Sequence, residues 1–130
     1  MKLNGRTIRV SDVKTLDNAI VSFGFPAADR QKRAETMKRV EWLADRVGSV
    51  RVFNCAALLL CYVAAGRIDA SFEMGIHLWD MAAGALLVSE AGGKVCFLDG
   101  SPLNLSAREN LVGNAALVEL IAQGQDEIEG

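Results

Sequence analysis

The chain has 130 residues, 51% of them hydrophobic, and a formal net charge of -2. That length fits one domain, residues 1–130, with room for a sizeable core, and the charge leaves no electrostatic footprint for nucleic acid or an anionic membrane. No apolar run is long enough to span a bilayer and Met1 to Gly5 hold no apolar signal region, so the expected location is the cytoplasm.

In chain order, the turn pair Asn4-Gly5 leads into a short strand, Thr7 to Ser11. Ala19 to Phe23 is a second, apolar strand, broken by Gly24 and Pro26. A helix follows with Asp29 as its N-cap and Gly48 at its end. Ala34, Met37, Val40, Leu43, Ala44 and Val47 mark its inner face; Lys32, Arg33, Lys38, Arg39, Glu41 and Asp45 mark a solvated one. Val50 to Phe53 is a third strand. Cys55 to Ala65 is apolar almost throughout, which predicts a helix buried on both sides and central to a layered structure.

Ile68, Ala70 and Phe72 alternate with Asp69, Ser71 and Glu73, the period of a half-buried strand. Met81 to Ala91 reads as a helix stopped by Gly92-Gly93, with Asp80 at its N-terminus. There the free backbone N–H groups and the macrodipole favour a negative charge, so Asp80 can cap the helix or hold a cation between helix and ligand. Lys94 to Leu98 is a strand ending in the turn Asp99-Gly100-Ser101-Pro102. Leu111 to Gly113 is the last strand. Asn114 caps a closing helix with Leu117, Leu120 and Ile121 inward, Gly124 ends it, and the acidic tail from Gln125 is expected to fray. This alternation indicates an α/β fold of layered helices and a mixed sheet.

The three cysteines, Cys55, Cys61 and Cys96, have no metal spacing and read as reduced thiols, Cys55 and Cys61 as apolar filler. The one histidine, His77, reads as structural.

Phe72 to Gly84, with Trp79-Asp80-Met81-Ala82-Ala83-Gly84 at its core, and then Glu90-Ala91-Gly92-Gly93, resembles the C-terminal signature of the inositol monophosphatase family. Asn4-Gly5-Arg6 through Ser11, Cys55-Ala56-Ala57-Leu58 and Val63-Ala64-Ala65-Gly66 agree with the same family, so the resemblance runs from about Asn4 to about Ala122. It implies the C-terminal half of a five-layer α/β/α/β/α fold. It also implies a Mg2+-dependent phosphatase of small phosphomonoesters, in which oxygen ligands hold the metal and the metal assists phosphoryl transfer. Position by position, Asp80 matches a catalytic carboxylate that ligates a metal, and Glu73 matches the acid that receives a substrate hydroxyl. Asn54, Cys55 and Ala56 match the stretch lining the substrate ring, and Trp79 a packing anchor.

Asn54-Cys55 replaces the family's Gly-Ser or Gly-Thr, which removes a hydroxyl from that stretch. The family's upstream Glu and its Asp-Pro-x-Asp-Gly-Thr motif do not occur, and Asp99-Gly100-Ser101, lacking the preceding Asp-Pro, reads as a turn. The expectation is therefore a half-site that is inactive by itself and binds Mg2+ weakly. Its partners are a small phosphorylated substrate and a second copy of the chain, since removal of a packing half uncovers apolar surface. Neither nucleic acid nor membrane is expected. The alternatives are a histidinol-phosphate or sugar-bisphosphate phosphatase, and a non-catalytic dimerisation or interaction module.

Overall fold

The protein is described from a computed structural model covering residues 2–3, 5–24, 29–52, 55–76, 78–104 and 106–129. It opens with a small antiparallel pair, β1 (Lys2–Leu3) and β2 (Arg6–Thr7), turning at Gly5 with φ 78°. The expected strand to Ser11 stops at Thr7. Beyond it the chain runs outside any sheet, and the Val10 N–H donates to Ala91 O at 3.0 Å.

The remaining elements are β3 (Ile20–Gly24), α1 (Arg30–Ala44), β4 (Ser49–Val52), α2 (Ala56–Ala64), β5 (Ala70–Met74), α3 (Leu78–Glu90), β6 (Lys94–Cys96), β7 (Glu109–Gly113), α4 (Ala115–Gln123) and α5 (Gln125–Glu129). Five strands form one mixed sheet in the order β4-β3-β5-β7-β6; β3 runs parallel to both β4 and β5, while β7 is antiparallel to β5 and β6. Asp69 clamps the parallel pair at its start: its Oδ2 accepts from Ile20 N at 2.6 Å and its N–H donates to Ile20 O at 2.9 Å.

Alternation along the strands gives the sheet two faces. Val21, Phe23, Phe72 and Leu111 pack with Leu43 of α1 and Leu117, Val118 and Ile121 of α4. Phe23 stacks on Phe72, ring centroids 5.7 Å apart. Val112 faces the other way, into a cluster with Leu59, Leu60 and Val63 of α2 and Met81 and Val88 of α3. The architecture is three layers, helices on both sides of a mixed sheet.

Both expected caps form: Asp29 Oδ1 accepts from Lys32 N at 3.0 Å and Asn114 Oδ1 from Leu117 N at 2.9 Å. Asn114 Nδ2 also donates to Ser11 O and Val13 O, at 3.0 and 2.7 Å, tying the segment after β2 to the start of α4.

Four expectations are corrected. Thr36, Arg39 and Leu43 are the buried residues of α1; Val40, and Val47 beyond the helix, pack against the core as expected, while Ala34, Met37 and Ala44 are exposed. Arg39 leaves the solvated face because its Nε finds a buried acceptor, Gln125 Oε1, at 2.9 Å. The tail does not fray. It forms α5, held to α1 by that bond and by Trp42 Nε1 and Arg46, which both donate to Glu127 Oε2 at 2.7 and 3.0 Å. Leu120 is partly exposed, and only Leu117, Val118 and Ile121 of α4 are buried. Helix α2 is not buried on both sides. Its outer face exposes Ala57, Leu58 and Cys61, so Cys61, like the capping Cys55, is not core filler; the buried thiol is Cys96.

Candidate functional site

Strand β5 carries Phe72 into the α1/α4 core, so its neighbour Glu73 faces the α2/α3 side, at the end of the strand. The chain then turns through Gly75, whose φ of 74° is the left-handed conformation that glycine adopts without strain. Ile76 N–H pins this turn by donating to Arg108 O at 2.9 Å. Helix α3 starts at Leu78, three residues earlier than expected, so Asp80 is not the N-cap but lies within the first turn. A carboxylate there still meets free N–H groups and the positive end of the dipole. His77 and Asn54 lie outside the described residues.

Asp80 is exposed. Glu73 is half-buried, and its Oε1 is buried without a hydrogen-bond partner. Burial, and then the neighbouring charge of Asp80, push the Glu73 carboxyl up from its ordinary 4.5 to about 7. A buried, raised-pKa acid beside an exposed carboxylate is an arrangement frequent at functional sites. The two residues expected together are therefore together, though Glu73 is more covered than an open cleft would leave it.

Close packing of α2 on α3 fixes this corner. Gly84 of α3 lies against Leu60 of α2, and a Cβ on Gly84 would overlap the Leu60 side chain. This brings the α2 start, capped by exposed Cys55 without a side-chain bond, into the layer that also carries the first turn of α3. Ala56 is the first residue of α2. The side chains of Ala56 and Trp79 lie outside the description.

Among the described residues no group of three or more His, Cys, Asp and Glu side chains gathers as a metal site. Glu73 and Asp80 are two oxygen donors where a hard divalent cation takes about six; the donor type fits Mg2+ and the number does not. Asp99 holds its own turn, as expected. Its Oδ1 accepts from Ser101 N at 2.9 Å and from Ser101 Oγ at 2.6 Å, which holds its carboxyl below the usual range. An open cleft of about 450 Å³ lies elsewhere, on the α1 side of the sheet between Arg39, Glu109, Asp99 and Gln125, and nothing in the sequence pattern pointed to it.

The fold and this corner define an α/β protein with a carboxylate pair where a central strand passes into a helix. The inositol monophosphatase family profile matches residues 1–129. The chain is 44% identical over 114 residues to the Nus factor SuhB of Pseudomonas aeruginosa, covering 86% of this chain and 42% of that protein. It is 38% identical over 96 residues to the inositol-1-monophosphatase of Caulobacter vibrioides, covering 74% of this chain and 38% of that one. It superposes on the inositol monophosphatase of Anabaena (Nostoc) with a TM-score of 0.88 and 34% identity, over 95% of this chain and 51% of that one. The chain belongs to the inositol monophosphatase family. It spans less than half the length of these two relatives. No described helix is long and apolar enough to cross a membrane.

Proposed function

We propose that residues 1–130 act as one folded unit within a Mg2+-dependent cytoplasmic phosphatase of small phosphomonoesters such as inositol monophosphate. The observation that carries this reading is the pairing of Glu73 with Asp80 at the β5–α3 junction, in a chain matched by the family over 1–129. Asp80 is the catalytic carboxylate and contributes one metal ligand. Glu73 receives a substrate hydroxyl, and Asn54, Cys55 and Ala56 border the substrate ring. Held there with further ligands, Mg2+ would supply charge neutralisation at the phosphate and activation of a water. Two carboxylates are too few to hold it, so activity requires ligands from a further segment carrying the missing acidic motif, and these residues alone do not turn over. Histidinol phosphate and sugar bisphosphates are the rival substrates; a non-catalytic module is the rival from another class.

The test is phosphatase activity of this chain alone, and of the chain together with the N-terminal half of the Caulobacter vibrioides relative. Activity only in the second case, lost in Asp80→Asn, supports the reading. Turnover by the chain alone, or activity indifferent to Asp80→Asn, refutes it.

A second reading rests on the name Nus factor SuhB carried by the Pseudomonas aeruginosa relative. A Nus-factor role would bring macromolecular partners that the net charge of -2 did not suggest. Exchanging this chain for the matching part of that relative in its own bacterium, with and without Asp80→Asn, separates the two. A Nus-factor role survives the substitution and a phosphatase role does not.

A further inference from the structure

Beneath α2 and α3 the sheet carries a row of polar side chains. Ser22 of β3, Ser71 of β5 and Asn110 of β7 are 0%, 0% and 1% exposed. Ser22 stands directly across from Ser71, and Glu73 directly across from Asn110. Opposed residues, and residues two apart on one strand, share a face, so the four side chains form one row across three neighbouring strands. The row faces the α2/α3 layer. Val112, the partner of Ser71, belongs to that layer's cluster, and Asn110 Nδ2 reaches Met81 Sδ at 3.7 Å.

Ser22 Oγ, Ser71 Oγ, Glu73 Oε1 and Asn110 Oδ1 are all buried without a partner, and they are the only such side-chain atoms among the described residues. Four orphaned oxygens on one face are a heavy burden for a domain of this size if the row is dry. Little side-chain volume competes for the place beside them, since Ser22 and Ser71 are small and the residue across from Glu73 on β3 is Gly24, which has no side chain. Neighbouring strands lie about 4.8 Å apart and successive same-face residues about 7 Å apart. Short side chains cannot close the longer gap directly, whereas a water with about 2.8 Å on either side can bridge such spans.

We infer that this row is an internal hydration site, in which ordered waters bound between the sheet and the α2/α3 layer join the two serine hydroxyls and Asn110 Oδ1 to the covered oxygen of Glu73. The inference stands apart from any catalytic role of Glu73. Its ligand is water, and its consequence is that Glu73 is oriented from below by hydrogen bonds that protein atoms do not supply.

A crystal structure of the 130-residue chain at a resolution that shows ordered water is the test. Two or more waters within hydrogen-bond reach of at least three of the four oxygens are expected. A dry row overturns the inference, as does a single ion with five or six short oxygen contacts. Thermal unfolding of the Ser22→Ala, Ser71→Ala double variant adds an independent sign. Removing hydroxyls from a dry row relieves orphans and raises Tm, whereas removing them from a hydrated row strands water and lowers Tm by a few degrees. Should that variant fail to fold, magnetisation transfer from bound water to the amide protons of Ser22, Ser71 and Asn110 in the unmodified chain is expected, and its absence overturns the inference.

Discussion

Glu73, whose burial already favours the protonated form, is pushed further the same way by the negative charge of Asp80 in the next element. Its value rises from 4.5 to about 7, so between those limits the native state binds more protons than the unfolded chain. Stability from this group is therefore highest below pH 4.5 and falls as pH rises through 7. The full penalty above 7 is roughly 3 kcal/mol at about 1.4 kcal/mol per unit. Glu73→Gln should abolish this slope and stabilise the chain at pH 8. Urea midpoints at pH 5, 6, 7 and 8 provide the check, and an unchanged slope in the variant would assign the dependence to other groups.

Metal binding should be weak in this chain. With two carboxylates to offer, Mg2+ affinity is expected at millimolar or weaker, on the order of the weakest all-oxygen sites. Where the missing ligands are supplied, Asp80→Asn should cost at least about 100-fold in affinity, since residues that merely orient ligands already cost about 10–100-fold. Calorimetry distinguishes the cases; tight stoichiometric binding by the chain alone would contradict the first expectation.

Gly84→Ala tests the helix packing that sets the corner. Alanine is the better helix former by about 1 kcal/mol, yet its Cβ would overlap Leu60. Overpacking costs about 1–3 kcal/mol, so after the propensity gain of about 1 kcal/mol a net loss of up to about 2 kcal/mol is expected. Leu60→Ala should be costly singly and partly compensating in the double variant, a non-additivity that a double-mutant cycle reads directly.

Asn114→Ala removes a cap and the two bonds that hold Ser11 and Val13. The expected loss is about 2–3 kcal/mol in chemical denaturation. Asn114→Asp keeps the acceptor for Leu117 N and loses both donors, so it should fall between the two. Equal losses in the two variants would mean that the cap contributes nothing, and no loss in Asn114→Asp would mean that the tie to the N-terminal segment contributes nothing.

Self-association should occur through the outer face of α2 and α3, where Leu58 is 42% and Leu86 62% exposed. Light scattering at micromolar concentration should show a dimer or larger species, and Leu58→Glu with Leu86→Glu should return it to monomer. A stable monomer before substitution would show that this face tolerates water.

The strand-helix alternation was legible in the sequence because turn residues punctuate it: Gly24 ends β3, Gly66 and Gly92 lie two residues past α2 and α3, and Gly48 directly precedes β4, although α1 itself ends earlier than expected, at Ala44. The caps Asp29 and Asn114 were legible for a local reason, since each bonds an N–H three residues on. The Glu73–Asp80 pair was legible from strand alternation together with the family resemblance. What escaped was set by distant partners. Arg39 is buried with its Nε donating to Gln125, far along the chain, and contacts of that long range dock the acidic tail as a helix. The row from Ser22 to Asn110 was invisible because no local pattern reveals which strands become neighbours. The faces of α2 could not be read from a run of uniformly apolar residues, in which periodicity carries no direction.

The position of β7 has a consequence for how the chain acquires its shape. It is the last of the described strands in chain order, yet it lies between β5 and β6, and among the described residues β6 pairs with no other strand. Until Gly113 has emerged, β5 presents an open edge and β6 has nothing to pair with. At about 5–20 residues per second the ribosome holds that edge open for a few seconds. The sheet thus closes from its C-terminal end, through contacts distant in sequence, which makes folding slow relative to a helical bundle. A chain interrupted before Glu109 would keep every residue of the Glu73–Asp80 corner and still leave β5 with the unpaired edge that seeds aggregation.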